Sequence, residues 1–233
     1  MRAVDPSWAL PGIIPHGFWH GFTWLGDSGL LIPASLLILL ALAVAPRTRG
    51  TALLWCVVFG AGSLAILLSK LAFMGWGVGS RSFNFTGFSG HTAISASVWP
   101  VVLWLMAARW RRPARIGAVV FGWLLAAGIG FSRLAVDAHS VSEVVTGYVL
   151  GVTVSAVFLA LARRRPRPDL RWPLVIAGLL LPLLIFPPGM PAPTQSLLER
   201  IATTLADIER PYNRRDLLRD SKPRPRVSVT ATS

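Results

Sequence analysis

The chain has little charge and almost no cysteine. Charged residues make up 14% of its 233 positions, against about 25% in soluble proteins, which argues against an ordinary water-solvated surface. Cys56 is the single cysteine, so an internal disulfide and a thiolate metal cluster are both excluded. Lying inside an apolar run, Cys56 reads as a small core residue. His16 and His20 have the spacing of a metal pair but lack a neighbouring third ligand, and no metal or cofactor is expected. Gly75, Gly77 and Gly79 lack the strand–helix setting of a nucleotide fingerprint. No internal repeat is evident, and the N-terminus lacks the basic stretch and unbroken apolar core of a cleaved signal peptide.

What is present is apolar. Hydrophobic residues account for 53% of the chain, arranged in runs near the roughly 20 residues that a spanning helix needs. Residues 28–45, 51–72, 91–108, 116–135 and 144–162 are the expected spans, with 172–187 a sixth that Pro173, Pro182, Pro187 and Pro188 interrupt. The fold class predicted is all-α, a polytopic helix bundle of about six spans, with the lipid bilayer as its partner. Residues 5–26 read as an aromatic interfacial segment, 196–210 as an amphipathic surface helix and 221–233 as a disordered basic end. The ten Trp suit interfacial belts.

The net charge of +13 does not point to nucleic acid. Arg47 and Arg49, then Arg109, Arg111, Arg112 and Arg115, then Arg163, Arg164, Arg165, Arg167 and Arg171 fall in alternate connections between apolar runs. That pattern follows the positive-inside rule and assigns these links to the cytoplasm. The remaining connections then share the opposite, extracytoplasmic face.

On that opposite face lie Lys70, His91, Arg133, His139 and Glu143. Ionisable groups at the edge of hydrocarbon are expensive and by default mark function. His139 and Glu143 are four apart and share one helical face, so a carboxylate can hold one imidazole nitrogen and leave the other free to attack. Arg133 can present a planar fork to two phosphate oxygens. Ser89 and Gly90 precede a predicted helix start, where backbone N–H groups face an anion. His91, at that start, is placed to protonate a leaving oxygen, and Lys70 adds a compact charge. Together these supply phosphate chemistry at a membrane surface.

Phe88-Ser89-Gly90-His91, and Ser132-Arg133 followed by His139 and Glu143, resemble two motifs of the type 2 phosphatidic acid phosphatase superfamily, membrane relatives of the vanadium haloperoxidases. Phe88 stands where that family has Pro, and Glu143 where it has Asp. The family's remaining motif is a Lys followed after six residues by Arg-Pro; Lys70 fits it, but Gly77 and Val78 occupy the Arg-Pro positions. Arg81 either substitutes across the glycine-rich loop or is a solvated loop charge. Asp137 reads as a loop charge, with a contribution beside His139 as the alternative. The resemblance covers about 70–162. It implies His139 as a nucleophile forming a phosphohistidine, Glu143 as its orienting group and His91 as the acid. It also implies Lys70, Arg133 and the Ser89 and Gly90 amides as the phosphate cradle.

The function expected is a metal-independent phosphatase of a membrane lipid phosphate or diphosphate, placed in a bacterial inner membrane with its site outside the cytosol. A phosphotransferase on the same scaffold, or a non-catalytic lipid-binding or scrambling protein, are the alternatives. A proton relay through His91, His139 and Glu143 fits poorly, because these residues fall at helix ends rather than at the midplane.

Overall fold

The computed structural model describes residues 16–166 and 194–220. Its helices, in chain order, are α1 (His16–Trp24), α2 (Ser28–Val44), α3 (Arg49–Trp76), α4 (Gly90–Met106), α5 (Arg112–Ala135), α6 (Val141–Ala162), α7 (Thr194–Ala206) and α8 (Arg214–Arg219). Among the described residues no strand occurs, only an isolated bridge between Ser80 and Phe85. Among the described residues, four stretches are long and apolar enough to cross a membrane: Gly17–Val44, Pro46–Trp76, Arg112–Ala135 and Val141–Ala162. The expected sixth span, 172–187, and the basic end, 221–233, lie outside the described residues.

Helix boundaries follow local chemistry. The Asp27 carboxylate accepts from the Gly29 N–H at 2.7 Å and caps α2. Gly77 closes α3 in the left-handed conformation, φ 70°, its N–H bonding back to Phe73. Pro113 falls in the first turn of α5, where a missing N–H removes no helical bond. Ser140 and Glu143 form a reciprocal capping box at the start of α6.

Helix α4 is the buried centre, with α5, α6 and α2 packed around it. It is short, at 17 residues, and carries Ala93, Ala96, Val98, Val101 and Val102 almost free of solvent contact. Close approach to it depends on glycine. At Gly122 an added Cβ would fall 2.6 Å from Pro100 Cα, and at Gly151 one would overlap the Ala93 carbonyl. The outer faces of the long helices stay apolar, as at Leu36, Leu40, Leu53, Leu64, Leu68, Phe121 and Leu124. A helix apolar on both its packed and its outer faces has lipid as its remaining solvent.

Two expectations from composition change here. Cys56 is exposed, because α3 buries only the stripe through Ala52, Trp55, Gly62, Ile66 and Phe73. The tryptophans are not all interfacial. Trp55 is fully buried with its N–H 3.2 Å from the Ser35 carbonyl, and Trp123 donates to Ser155 Oγ at 3.0 Å. Buried indoles are admitted where a partner for the N–H exists.

Antiparallel packing gives the bundle two ends. Leu42, Ala52, Leu105, Phe158 and Ala162 share one cluster, and Arg165 packs on Gly50 beside it. The other end gathers Gly26, the last turn of α3 and the starts of α4 and α6. Helix α7 belongs to this second end: Thr194 pairs with Ser28 at 3.3 Å, and Ala206 rests against Gly75.

Gly122→Val should lower stability by about 1–3 kcal/mol, because the atoms it meets are backbone and cannot move aside. Gly60→Ala, with open space around it, should cost nothing. Thermal unfolding of both variants in detergent checks the contrast, and equal stability would contradict the α4–α5 packing.

Candidate active site

The site grows from the turn between α5 and α6. Asp137 takes the left-handed conformation, φ 52°, which Asp tolerates better than most residues. The Ala138 N–H bonds back to the Arg133 carbonyl at 3.0 Å, reversing the chain so that His139 stands beside the start of α6. Asp137 itself is exposed and serves the turn. His139 Nδ1 lies 2.8 Å from Glu143 Oε2. A carboxylate cannot donate, so Nδ1 carries the proton and Nε2 keeps its lone pair free.

Glu143 is 0% exposed and ringed by donors. The Thr86 N–H reaches Oε1 at 2.8 Å, joined there by the Thr86 hydroxyl. On Oε2, the Ser140 N–H lies at 3.2 Å and Arg214 Nη2 at 2.7 Å, beside His139. Glutamate rather than aspartate suits this position because its longer stem lets one carboxylate close the capping box and hold the imidazole together.

The 77–89 loop is pinned to the same point. The Phe88 N–H donates to Ser69 Oγ at 3.3 Å, and the Ser89 N–H to the Glu143 carbonyl at 3.1 Å. The Ser89 amide is therefore occupied, and the amides left for an anion are those of the first turn of α4, beginning at Gly90. A Cβ on Gly90 would lie 3.8 Å from Lys70 Nζ, so the Lys70 ammonium stands at that helix start. Arg81 is exposed on the loop, where its carbonyl accepts from the Asn84 N–H at 3.2 Å. No described contact joins its side chain to the cluster.

Arg133 reaches up from the last turn of α5. Its Nη1 donates to Thr23 Oγ1 at 3.1 Å, while its Nε is buried without a hydrogen-bond partner. An unpaired buried donor on a guanidinium calls for an acceptor, and a phosphate oxygen is one that this chemistry would supply. His91 Nε2 stands 3.4 Å from Asp27 Oδ2, so the carboxylate that caps α2 also faces the second imidazole.

Asp27, Thr23, Thr86 and Arg214 were not singled out from sequence. One of them carried a readable signal: Asp27-Ser28 before an apolar run is a helix-start signature. Thr23, Thr86 and Arg214 had none, since nothing local marks a residue that will meet a partner far along the chain.

Electrostatics favour a neutral nucleophile. Burial is the largest influence on His139 and holds its pKa below the ordinary histidine value. The hydrogen bond and charge of Glu143 pull it upward, while the charges of Arg133 and Lys70 act with burial. His91 is also near enough for its charge to bear on His139. Two imidazoles, an ammonium and a guanidinium thus share one region. That collection can bind a phosphoryl group, attack it and protonate its leaving oxygen.

The sequence model of the PAP2 superfamily matches residues 67–167, which span Lys70, the 77–89 loop, His91, Arg133, His139 and Glu143. A Klebsiella pneumoniae protein described as "Uncharacterized 22.5 kDa protein in cps region" is 43% identical over 202 residues, covering 85% of this chain and 97% of that protein. No solved structure matches the chain.

NMR titration of His139 in detergent or nanodiscs should place its midpoint below the roughly 6.5 of an exposed histidine. Glu143→Gln removes the influence that raises the pKa, so the midpoint should fall further. A wild-type midpoint at or above 6.5 would contradict the dominance of burial.

Proposed function

The chain belongs to the PAP2 superfamily, and from that premise we propose that it is a membrane phosphatase acting on a lipid phosphate or diphosphate at the extracytoplasmic face. The observation that carries this reading is the His139–Glu143 pair. A buried carboxylate fixes Nδ1 and leaves Nε2 as a nucleophile, beside a guanidinium with a buried, unpartnered N–H.

The phosphoryl group sits among Lys70, Arg133 and the first amides of α4, where positive charge and helix dipole stabilise its oxygens. His139 Nε2 attacks phosphorus, forming an N–P bond as the P–O bond to the lipid alkoxide breaks. His91, paired with Asp27, gives that oxygen its proton. Water then attacks phosphorus while His91 takes its proton, the N–P bond breaks with its electron pair returning to His139 Nε2, and inorganic phosphate leaves. These positions support the roles given to Lys70, His91, Arg133, His139 and Glu143; Gly90 contributes an amide. The cluster already contains four donor or nucleophilic side chains suited to this in-line displacement.

The distribution of charge supports this face. Arg47, Arg49, Arg109, Arg111, Arg112, Arg115 and Arg163–Arg165 fall at the end of the bundle away from the site, and basic links face the cytoplasm. A site at the outer surface lets a lipid keep its chains in the bilayer while the headgroup reaches Lys70 and Arg133. A bacterial inner membrane is the setting we favour.

Release of inorganic phosphate from phosphatidate, phosphatidylglycerophosphate and prenyl diphosphate, with and without an acceptor alcohol, tests the reading. His139→Ala should release none above background while retaining the fold, and Arg133→Lys should lose more than about tenfold, because a point charge cannot replace a planar fork. Turnover at the wild-type rate in His139→Ala would overturn it. Phosphate appearing only on an added acceptor would make the protein a phosphotransferase.

A further inference from the structure

The C-terminal segment makes a hook over the site. Ala202 and Ala206 of α7 rest on Gly75, where a Cβ would lie 3.3 Å from Ala206 Cβ. The Tyr212 N–H donates to the Met74 carbonyl at 2.8 Å. Its ring lies against Gly77, where a Cβ would fall 2.9 Å from the ring edge. Gly77 is also held at φ 70°, so a side chain there is disfavoured by both backbone and neighbour. Beyond Tyr212 the chain is locked by Asp216, which takes both arms of Arg210 at 2.6 and 2.8 Å and closes a capping box with Asn213.

Arg214 projects from this hook into the site. Nη2 donates to Glu143 Oε2 at 2.7 Å, and Nη1 to Asn84 Oδ1 at 2.9 Å. Glu143 lies wholly buried while the Arg214 side chain is 33% exposed, so the cation is brought to the carboxylate from outside the bundle. It binds the same oxygen that holds His139. With the Ser140 N–H, three donors divide the charge of that oxygen, and the planar fork ties the carboxylate to the 77–89 loop. The place where the resemblance led to an arginine, Gly77, is covered by the hook that delivers Arg214.

We propose that Arg214 is a positioning residue of this site: from the C-terminal hook it fixes Glu143 and, through it, the orientation and charge state of His139. The inference rests on His139 being the nucleophile. The groups bearing on His139 are Lys70 of α3, His91 of α4, Arg133 of α5 and Glu143 of α6, with Arg214 acting on Glu143. Removing the Arg214 cation leaves Glu143 its full charge on Nδ1. The imidazolium is then better stabilised, and His139 protonates at higher pH.

The test uses the full chain in nanodiscs, with dioleoyl phosphatidate as the probe and phosphate release measured against pH. Arg214→Ala should lower kcat by about 10–100-fold with KM changed less than about threefold, and move the acid limb of kcat/KM upward by about half to one pH unit. Arg214→Lys should restore much of the pH shift but only part of kcat. Arg215→Ala, an exposed neighbour, should behave as wild type. Loss of kcat with an unmoved acid limb would reduce Arg214 to a structural strut, and a raised KM with intact kcat would make it a substrate contact. Either result overturns the proposal, as does wild-type behaviour of Arg214→Ala.

NMR titration of His139 in wild type and in Arg214→Lys or Arg214→Gln gives a readout independent of turnover. An upward midpoint in the Gln variant supports the proposal, and an unchanged one overturns it. If the wild-type chain releases no phosphate from any probe, the phosphatase reading fails on its own, while the titration still decides whether Arg214 governs His139.

Discussion

One buried carboxylate organises this end of the molecule. Glu143 caps its own helix, holds His139, receives Thr86 from the loop and receives Arg214 from the C-terminal hook. An ionised group away from water is tolerated only when donors surround it. The donors come from three stretches of chain, the 139–140 turn, the 77–89 loop and the C-terminal hook, so satisfying the carboxylate brings those stretches together. The free Nε2 of His139 is a by-product of that arrangement.

The carboxylate can be placed there because the helices come close. Gly147 admits the Ser89 carbonyl, where a Cβ would fall 2.9 Å away, and Gly130 admits Thr92 and Val144 at 3.0 Å. Without a hydrophobic drive between helices in lipid, small residues and interhelical hydrogen bonds supply association. The same glycines that let α4 sit at the centre set the start of α4 beside Lys70 and Glu143. Packing and site geometry therefore share their determinants.

The second imidazole follows the same logic with a different carboxylate. Asp27 caps α2 and faces His91, while Thr23 of α1 meets Arg133. The N-terminal helices are thus part of the site wall. The aromatic segment that reads from sequence as interfacial forms α1 in its described part, packed on α5 through Trp19 against Phe131 and Phe22 against Gly128.

Sequence alone determined what depends on spacing along the chain. The apolar runs set the helices within a few residues, as with 28–45 against Ser28–Val44 and 144–162 against Val141–Ala162. The four-residue step put His139 within reach of Glu143, although His139 precedes the extended Ser140 cap and so stands outside α6 rather than on a shared helical turn. The alternation of Arg-rich links sorted the connections into two sets. Tertiary structure alone decided what depends on meeting across the chain: Asp27 at His91, Thr23 at Arg133 and Arg214 at Glu143, the last pair 71 residues apart. It also showed the Ser89 amide spent on the Glu143 carbonyl, Arg81 outside the cluster, and Cys56 on an outer face. Periodicity records which face a residue occupies because the helix repeat is fixed by backbone geometry. It carries no record of which distant residue packs against that face, since that choice is made by side-chain volume and by the need to pair each buried polar group.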